Sequence, residues 1–121
     1  MATSYKRGDS DTRPWGTWEV LESAANYCVK KICVTPGSEL SLQLHHHRSE
    51  HWIVVEGEAV VTLGDKELVK KSNESVYIPV ETKHRIKNAT DKMMIFIEVQ
   101  TGDNLDENDI VRFEDKYGRI S

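Results

Sequence analysis

The stretch Gly37–Gly57, GSELSLQLHHHRSEHWIVVEG, decides how this chain reads. Pro36-Gly37 opens it with a turn and Glu56-Gly57-Glu58 closes it, and Leu40–His47 and His51–Val55 between them carry strand character. Gln43, His45, His46, His47, Glu50 and His51 crowd its middle, so four of the five histidines fall within seven positions. The fifth, His84, stands apart in Pro79–Asn88, PVETKHRIKN. Imidazole nitrogens and a carboxylate gathered on strands suit a divalent transition metal better than a hydrophobic core. A solvated surface cluster would need no strands around it.

Outward from this stretch, β signals dominate. Asn26–Thr35 precedes it; Ala59–Leu63, the Gly64-Asp65-Lys66 turn and Lys66–Val69 follow as a hairpin; Ser75–Pro79, Arg85–Asn88 and Met93–Gln100 complete the set. Short strands at close spacing predict an all-β sandwich or barrel. Asp106–Phe113 reads as one or two helical turns, with Asp106 as N-cap and Glu107 and Asp109 in the first turn. Residues 1–12 read as a flexible arm or a loosely held edge strand, and 13–121 as a single domain.

Composition narrows the partners. A chain of 121 residues can bury one core without staples. A net charge of −4 gives no basic footprint for nucleic acid, so an anionic ligand must be met by a local group of arginines. No run is long and apolar enough for a membrane helix, and the polar MATSYKRGDSDTR is not a signal peptide; a cytoplasmic protein is expected. Cys28 and Cys33, an odd number of positions apart, face opposite sides of one strand and are read as free thiols.

Two spacings run through the chain: Gly37, Gln43, His45, Glu50, Gly57, and then Asn73, Pro79, Glu81, His84, Asn88. Together they resemble the two motifs of the cupin superfamily, small double-stranded β-helix barrels similar to jelly rolls. That resemblance implies metal ligands at Gln43, His45, Glu50 and His84. Gln43 stands where a histidine is usual, and Asn73 and Glu81 replace two glycines of the second motif. Strand parity puts Gln43 and His45 on one face. His47 shares that parity and is the alternative to Gln43. The resemblance implies a divalent ion: Zn²⁺ by default, with Ni²⁺, Co²⁺, Mn²⁺ or Fe²⁺ open.

A longer match covers residues 13–119. Arg13-Pro14-Trp15-Gly16, Leu40–Gln43, His45–Trp52, Tyr77–Pro79, His84-Arg85, Ile97–Gly102, Asp109–Arg112 and Asp115–Arg119 resemble type II mannose-6-phosphate isomerase. That family is usually the C-terminal half of a bifunctional enzyme with mannose-1-phosphate guanylyltransferase. The resemblance implies interconversion of mannose 6-phosphate and fructose 6-phosphate by a free-standing domain. With no glycine-rich phosphate loop, no guanylyltransferase activity is expected.

Such a reaction needs a Lewis acid, a base and a phosphate anchor. Glu98, in the apolar Ile95–Val99, is the leading base, because its burial must be offset by use or by an ion pair with an arginine. His51 is a weaker catalytic candidate. Arg48, Arg112 and Arg119 lead for phosphate, with Arg13 next and Lys30 in support; Arg85 reads as surface charge. Asn73 could meet sugar hydroxyls or simply form a turn. A non-catalytic cupin that binds a sugar or sugar phosphate, or another metal-dependent cupin enzyme, are the alternatives. A homodimer paired through edge strands is compatible with a barrel of this size.

Overall fold

A computed structural model of the chain describes residues 5–106 and 108–114. Its strands are β1 (Ser10–Arg13), β2 (Gly16–Ser23), β3 (Tyr27–Val34), β4 (Leu42–Leu44), β5 (Arg48–Glu56) and β6 (Glu58–Leu63). They continue as β7 (Lys66–Lys71), β8 (Ser75–Ile78), β9 (His84–Lys87), β10 (Met94–Gly102) and β11 (Val111–Glu114). They form two sheets, in the orders β1-β2-β3-β10-β5-β8 and β11-β4-β9-β6-β7. Every strand pairing in them is antiparallel. This is the expected all-β barrel of cupin type.

Alternation sets what faces inward. In β3, YCVKKICV, the residues Cys28, Lys30, Ile32 and Val34 are buried, while Tyr27 and Lys31 are exposed. Cys28 and Cys33 are free thiols on opposite faces, as their spacing requires. Trp15, Ile32, Val34, Trp52, Val54, Ala59, Val61, Ile78, Ile86, Met94 and Phe96 make one apolar core. A smaller cluster joins Val20, Cys28 and Leu105.

Of the two readings given for residues 1–12, a flexible arm or an edge strand, Ser10–Arg13 takes the second and pairs with Gly16–Glu19 at the edge of the larger sheet; the strand it pairs with, β2, is not expected from the sequence. Among the described residues of Asp106–Phe113 the expected helical turns are absent. The Asn108 amide donates to the Asp106 carboxylate (2.8 Å) and the Asp109 amide to the Asp106 carbonyl (3.0 Å), closing a turn rather than starting a helix. Val111–Glu114 then runs beside β4. Val111 and Phe113 are strand formers, and pairing with β4 supplies partners that a two-turn helix could not keep in water. Glu107, residues 1–4 and the Asp115–Arg119 motif lie outside the described residues.

Asn73 and Glu81, the two residues standing where the motif has glycine, both take left-handed backbone conformations (φ 74° and 56°). The turns keep the glycine-type geometry without the glycines. Gly102 serves a different need. A Cβ there would lie 2.2 Å from the His47 carbonyl oxygen, so only glycine lets the end of β10 pass against the histidine-bearing turn.

Candidate functional site

One end of the barrel interior is polar. In the register of β10 with β3 and β5, Glu98 stands between Lys30 and Trp52, and Gln100 between Cys28 and Glu50. Gln43 and His84 face each other across β4 and β9. A cavity opens on this end, bordered by Gln43, Glu50, His84 and Glu98, by Arg13, Lys30, Arg48, Arg85 and Arg112, and by Tyr5, Trp15, Trp18 and Trp52. All three tryptophans of the chain therefore line it.

His45, Glu50 and His84 are buried, and one potential ligand atom from each lies within 4.8 Å of the others. The rings are oriented by their outer nitrogens. His45 Nδ1 is 2.6 Å from the Asp109 carbonyl and His84 Nδ1 is 2.8 Å from the Thr82 carbonyl. Both Nδ1 atoms therefore carry the proton, and both Nε2 lone pairs turn toward Glu50, at 3.2 and 3.9 Å from its carboxylate. Imidazoles whose outer nitrogen donates to a carbonyl and whose inner nitrogen presents a lone pair are the usual form of metal-bound histidine. These three donors fit a divalent metal ion.

Charge in the site is balanced around Glu50. Arg48 donates from Nε to Glu50 (3.0 Å), and its Nη2 lies 3.2 Å from His45 Nε2. Burial opposes ionisation of Glu50, but the Arg48 guanidinium beside it overcomes this and holds the carboxyl well below the usual carboxylate range. Burial lowers the His84 imidazole, which keeps it neutral and able to act as a ligand. The Trp52 indole N–H lies between the two acids, 2.9 Å from Glu50 and 3.2 Å from Glu98. Glu98 also accepts from Gln100 Nε2 at 2.7 Å. Burial, then the Glu50 charge, raise Glu98 from 4.5 to about 7, against the pull of Lys30 and Arg48.

The structure brings together most of the residues singled out from sequence. Gln43, Glu50, His84, Glu98, Lys30, Arg13, Arg48 and Arg112 border one cavity, and His45 joins them through the metal-ligand group. Arg48 is largely occupied by Glu50 and His45, with Nη1 buried and without a hydrogen-bond partner. Arg13 bonds Asp11 and lies over Trp18. The Lys30 ammonium sits 3.6 Å from the Tyr5 ring and 4.9 Å from the Trp18 ring.

Three expected residues are placed elsewhere. His51 is exposed on the outer face of β5, its ring 4.6 Å from Tyr77 of β8, because it follows inward-facing Glu50 by one residue. His47 is exposed in the turn between β4 and β5, where strand parity no longer applies, and it is not in the ligand group. Asn73 is exposed at a turn, its amide bonded to the Val54 carbonyl (2.8 Å), away from the cavity. Arg119 lies outside the described residues. Arg85, read as surface charge, pairs with Glu39 at 3.0 Å and also borders the cavity.

Sequence reasoning missed Asp109 and the aromatic wall. The Asp109 carboxylate accepts from the amides of His46 and His47, both at 2.9 Å. Burial opposes its ionisation, and those two amides reverse the effect and lower it. The sequence marks Asp109 only as part of the Asp109–Arg112 motif and as a first-turn residue of an expected helix, neither of which gives it a role beside the histidines.

Comparison with known proteins agrees with this picture. The family described as "Mannose-6-phosphate isomerase C-terminal" matches residues 3–115. A xanthan biosynthesis protein, XanB of Xanthomonas campestris, is 53% identical over 107 residues, covering 88% of this chain and 23% of its own. Mannose-1-phosphate guanylyltransferase ManC of Salmonella typhimurium is 46% identical over 108 residues, covering 89% and 22%. The chain thus spans under a quarter of the length of these relatives. Among solved structures, the capsular polysaccharide assembling protein CapF of Staphylococcus aureus superposes with a TM-score of 0.76 at 24% identity, over 88% of this chain and 34% of that one. A cupin-superfamily sugar phosphate isomerase of Silicibacter pomeroyi gives 0.63 at 24% identity, over 70% and 58%. At such identities the likeness is one of fold.

Proposed function

Because this chain belongs to the mannose-6-phosphate isomerase C-terminal family, we propose that it is a divalent-metal-dependent isomerase interconverting mannose 6-phosphate and fructose 6-phosphate. The observation that carries this reading is the convergence of His45, Glu50 and His84 beside Glu98 in a cavity that Arg13, Arg48 and Arg112 also border. His45, Glu50 and His84, with Gln43 beside them, would hold the ion; Zn²⁺ is the default for this N/O donor set, and Ni²⁺, Co²⁺, Mn²⁺ and Fe²⁺ are to be compared. When bound, the ion supplies a Lewis acid for the negative charge that develops on the sugar oxygens.

The chain's own residues supply the rest. Glu98 takes the proton from C2 of the aldose and returns it to C1 while the hydroxyl proton passes from O2 to O1, and its place beside a second buried acid favours a group that can both accept and release a proton. Trp52, bonded to Glu50 and Glu98 together, fixes the spacing of the two acids. Arg112 and Arg13 anchor the phosphate, and Arg48 chiefly holds Glu50 and His45. The tryptophan wall offers the apolar faces on which a sugar ring can rest. The names of the relatives, a xanthan biosynthesis protein and a mannose-1-phosphate guanylyltransferase, support a role in supplying mannose units for polysaccharide synthesis.

Conversion of mannose 6-phosphate, measured on metal-loaded and chelator-treated protein with mannose as the control sugar, tests the reading. Turnover should need both metal and phosphate, and Glu98→Gln should reduce kcat by roughly 10²–10⁴-fold. Binding of the sugar phosphate without turnover would instead leave a non-catalytic sugar-phosphate cupin. Turnover indifferent to chelation would sink the metal reading.

A further inference from the structure

The ligand His45 lies at a structural gap. β4 ends at Leu44 and β5 begins at Arg48, so the His45–His47 turn has no place in either ladder. Its backbone amides must find acceptors elsewhere or remain unsatisfied. Asp109 supplies them from more than sixty residues away: Oδ1 accepts from the His46 amide and Oδ2 from the His47 amide, both at 2.9 Å. Its backbone carbonyl also takes the His45 Nδ1 proton at 2.6 Å. One residue thus makes three hydrogen bonds to the turn and sets the tautomer of the ligand.

The other histidine is arranged differently. His84 is oriented by the carbonyl of Thr82, two residues away in its own loop. His45 depends on a segment that is itself anchored. Leu105 is fully buried against Val20 and Cys28, and the Asp109 amide is tied back to Asp106 at 3.0 Å. Three residues after Asp109, Arg112 pairs with Gln43 in β4, so the same segment is fixed on both sides of Asp109.

We propose that Asp109 is a positioning residue for the metal centre: it clamps the His45–His47 turn and holds the His45 imidazole with Nε2 toward Glu50. This rests on the metal reading above. Neither Asp109 nor its carboxylate touches the reacting atoms.

The test is Zn²⁺ affinity, measured by competition with a chromophoric chelator on the full chain, with Co²⁺ absorption as a second readout. Asp109→Ala keeps the carbonyl that orients the His45 ring but removes both bonds that hold its turn, so Zn²⁺ binding should weaken by roughly 10-fold, the lower end of the cost of losing a group that supports a metal-bound histidine. Its Co²⁺ spectrum should shift toward that of a site with one imidazole fewer. Asp109→Asn keeps one acceptor oxygen and should fall between parent and alanine variant. Should Asp109→Ala fail to fold, the asparagine variant alone decides. Val61→Ala, a core change outside the cavity, serves as the stability control and should lower the thermal midpoint while leaving Zn²⁺ affinity intact. Parent-like affinity in both Asp109 variants, or an equal loss in Val61→Ala, would overturn the proposal. Absence of Zn²⁺ and Co²⁺ binding by the unaltered chain would overturn the metal reading itself.

Discussion

The two ends of the barrel interior are built from the same strands and are opposite in chemistry. Moving along β3, the inward residues pass from Cys28 and Lys30 to Ile32 and Val34; along β5, from Arg48 and Glu50 to Trp52 and Val54. β9 goes from His84 to Ile86, and β10 from Gln100 and Glu98 to Phe96 and Met94. In register the change falls just past Lys30 on β3 and Glu98 on β10 and one inward residue earlier on β5, where Trp52 pairs with Glu98, so the interior divides into an apolar half and a charged half with Trp52 at the boundary. Alternation decides which residues face in; it does not decide what they are. The apolar half gains free energy from every group it buries. In the charged half each buried ion is costly and is offset only by its partners. That asymmetry predicts that substitutions in one half act on stability and in the other on function.

The largest effect should come from the charged half. On the proposed function His84→Ala removes one of the metal donors, so metal affinity should fall by at least about 100-fold and mannose 6-phosphate turnover by three orders of magnitude or more. The thermal midpoint of chelator-treated protein should hardly move. A large drop in that midpoint would mean the charged half stabilises the fold and would break the contrast.

The counterpart is Phe96→Ala. Phe96 is fully buried next to Trp52 (ring centroids 5.5 Å apart), and its loss should cost about 3–5 kcal/mol in denaturant unfolding. Metal affinity of the folded protein should stay within about twofold. Coupled loss of metal would show that Trp52 transmits core packing to the two carboxylates.

The same division explains what could be read from sequence. Period-two alternation exposed the strands from Tyr27 to Gly102, and the resemblance to the two cupin motifs brought Gln43, His45, Glu50 and His84 into one set, three of them on strands and His45 in the turn just after β4. Parity failed where the strand did. His47 shares the parity of His45, but β4 ends at Leu44 and the turn carries His47 outward. Asp109 left no local signal, since its partners are 62 to 64 residues distant. Asp106–Phe113 looked helical because acidic residues that close a turn also cap helices, and only the proximity of β4 decides between them. The early hairpin, Ser10–Ser23, mixes exposed charges with few apolar positions, as befits a sheet edge.

Glu98 gives an intermediate effect that depends on pH. In chelator-treated protein its carboxyl is raised from 4.5 to about 7, so the folded chain holds a proton that the unfolded chain has released. Folding stability from this group is full below about pH 4.5 and falls as pH rises toward 7. At 1.36 kcal/mol per pKa unit the loss above that window reaches at most about 3 kcal/mol. Gln cannot ionise. Gln100 can turn its amide to offer Oε1, which is now buried without a partner, to the new side chain. Glu98→Gln should therefore be more stable than the parent by about 1–3 kcal/mol at pH 8, and nearly equal to it at pH 4.5. Urea midpoints at both pH values check this; a difference that does not change with pH would mean Glu98 keeps one protonation state throughout.

The smallest effect compares the two left-handed turns, one serving each half. The Asn73 amide bonds to the Val54 carbonyl on the apolar side (2.8 Å), and the Glu81 amide to the His45 carbonyl on the charged side (2.7 Å). Asn tolerates a positive φ because its short side chain bonds its own backbone; Glu does not. Asn73→Gly should therefore change stability by only a few tenths of a kcal/mol, since relief of strain and the added freedom of the unfolded chain nearly cancel. Glu81→Gly relieves more strain and loses only an exposed contact with His46, so a gain of about 0.5–1 kcal/mol is expected. Metal affinity should not rise with it, because the Thr82 carbonyl that orients His84 stays in place. If Glu81→Gly stabilises the fold yet loosens the metal, the strained φ is itself part of how this loop presents His84, and the charged half retains Glu81 at the expense of stability.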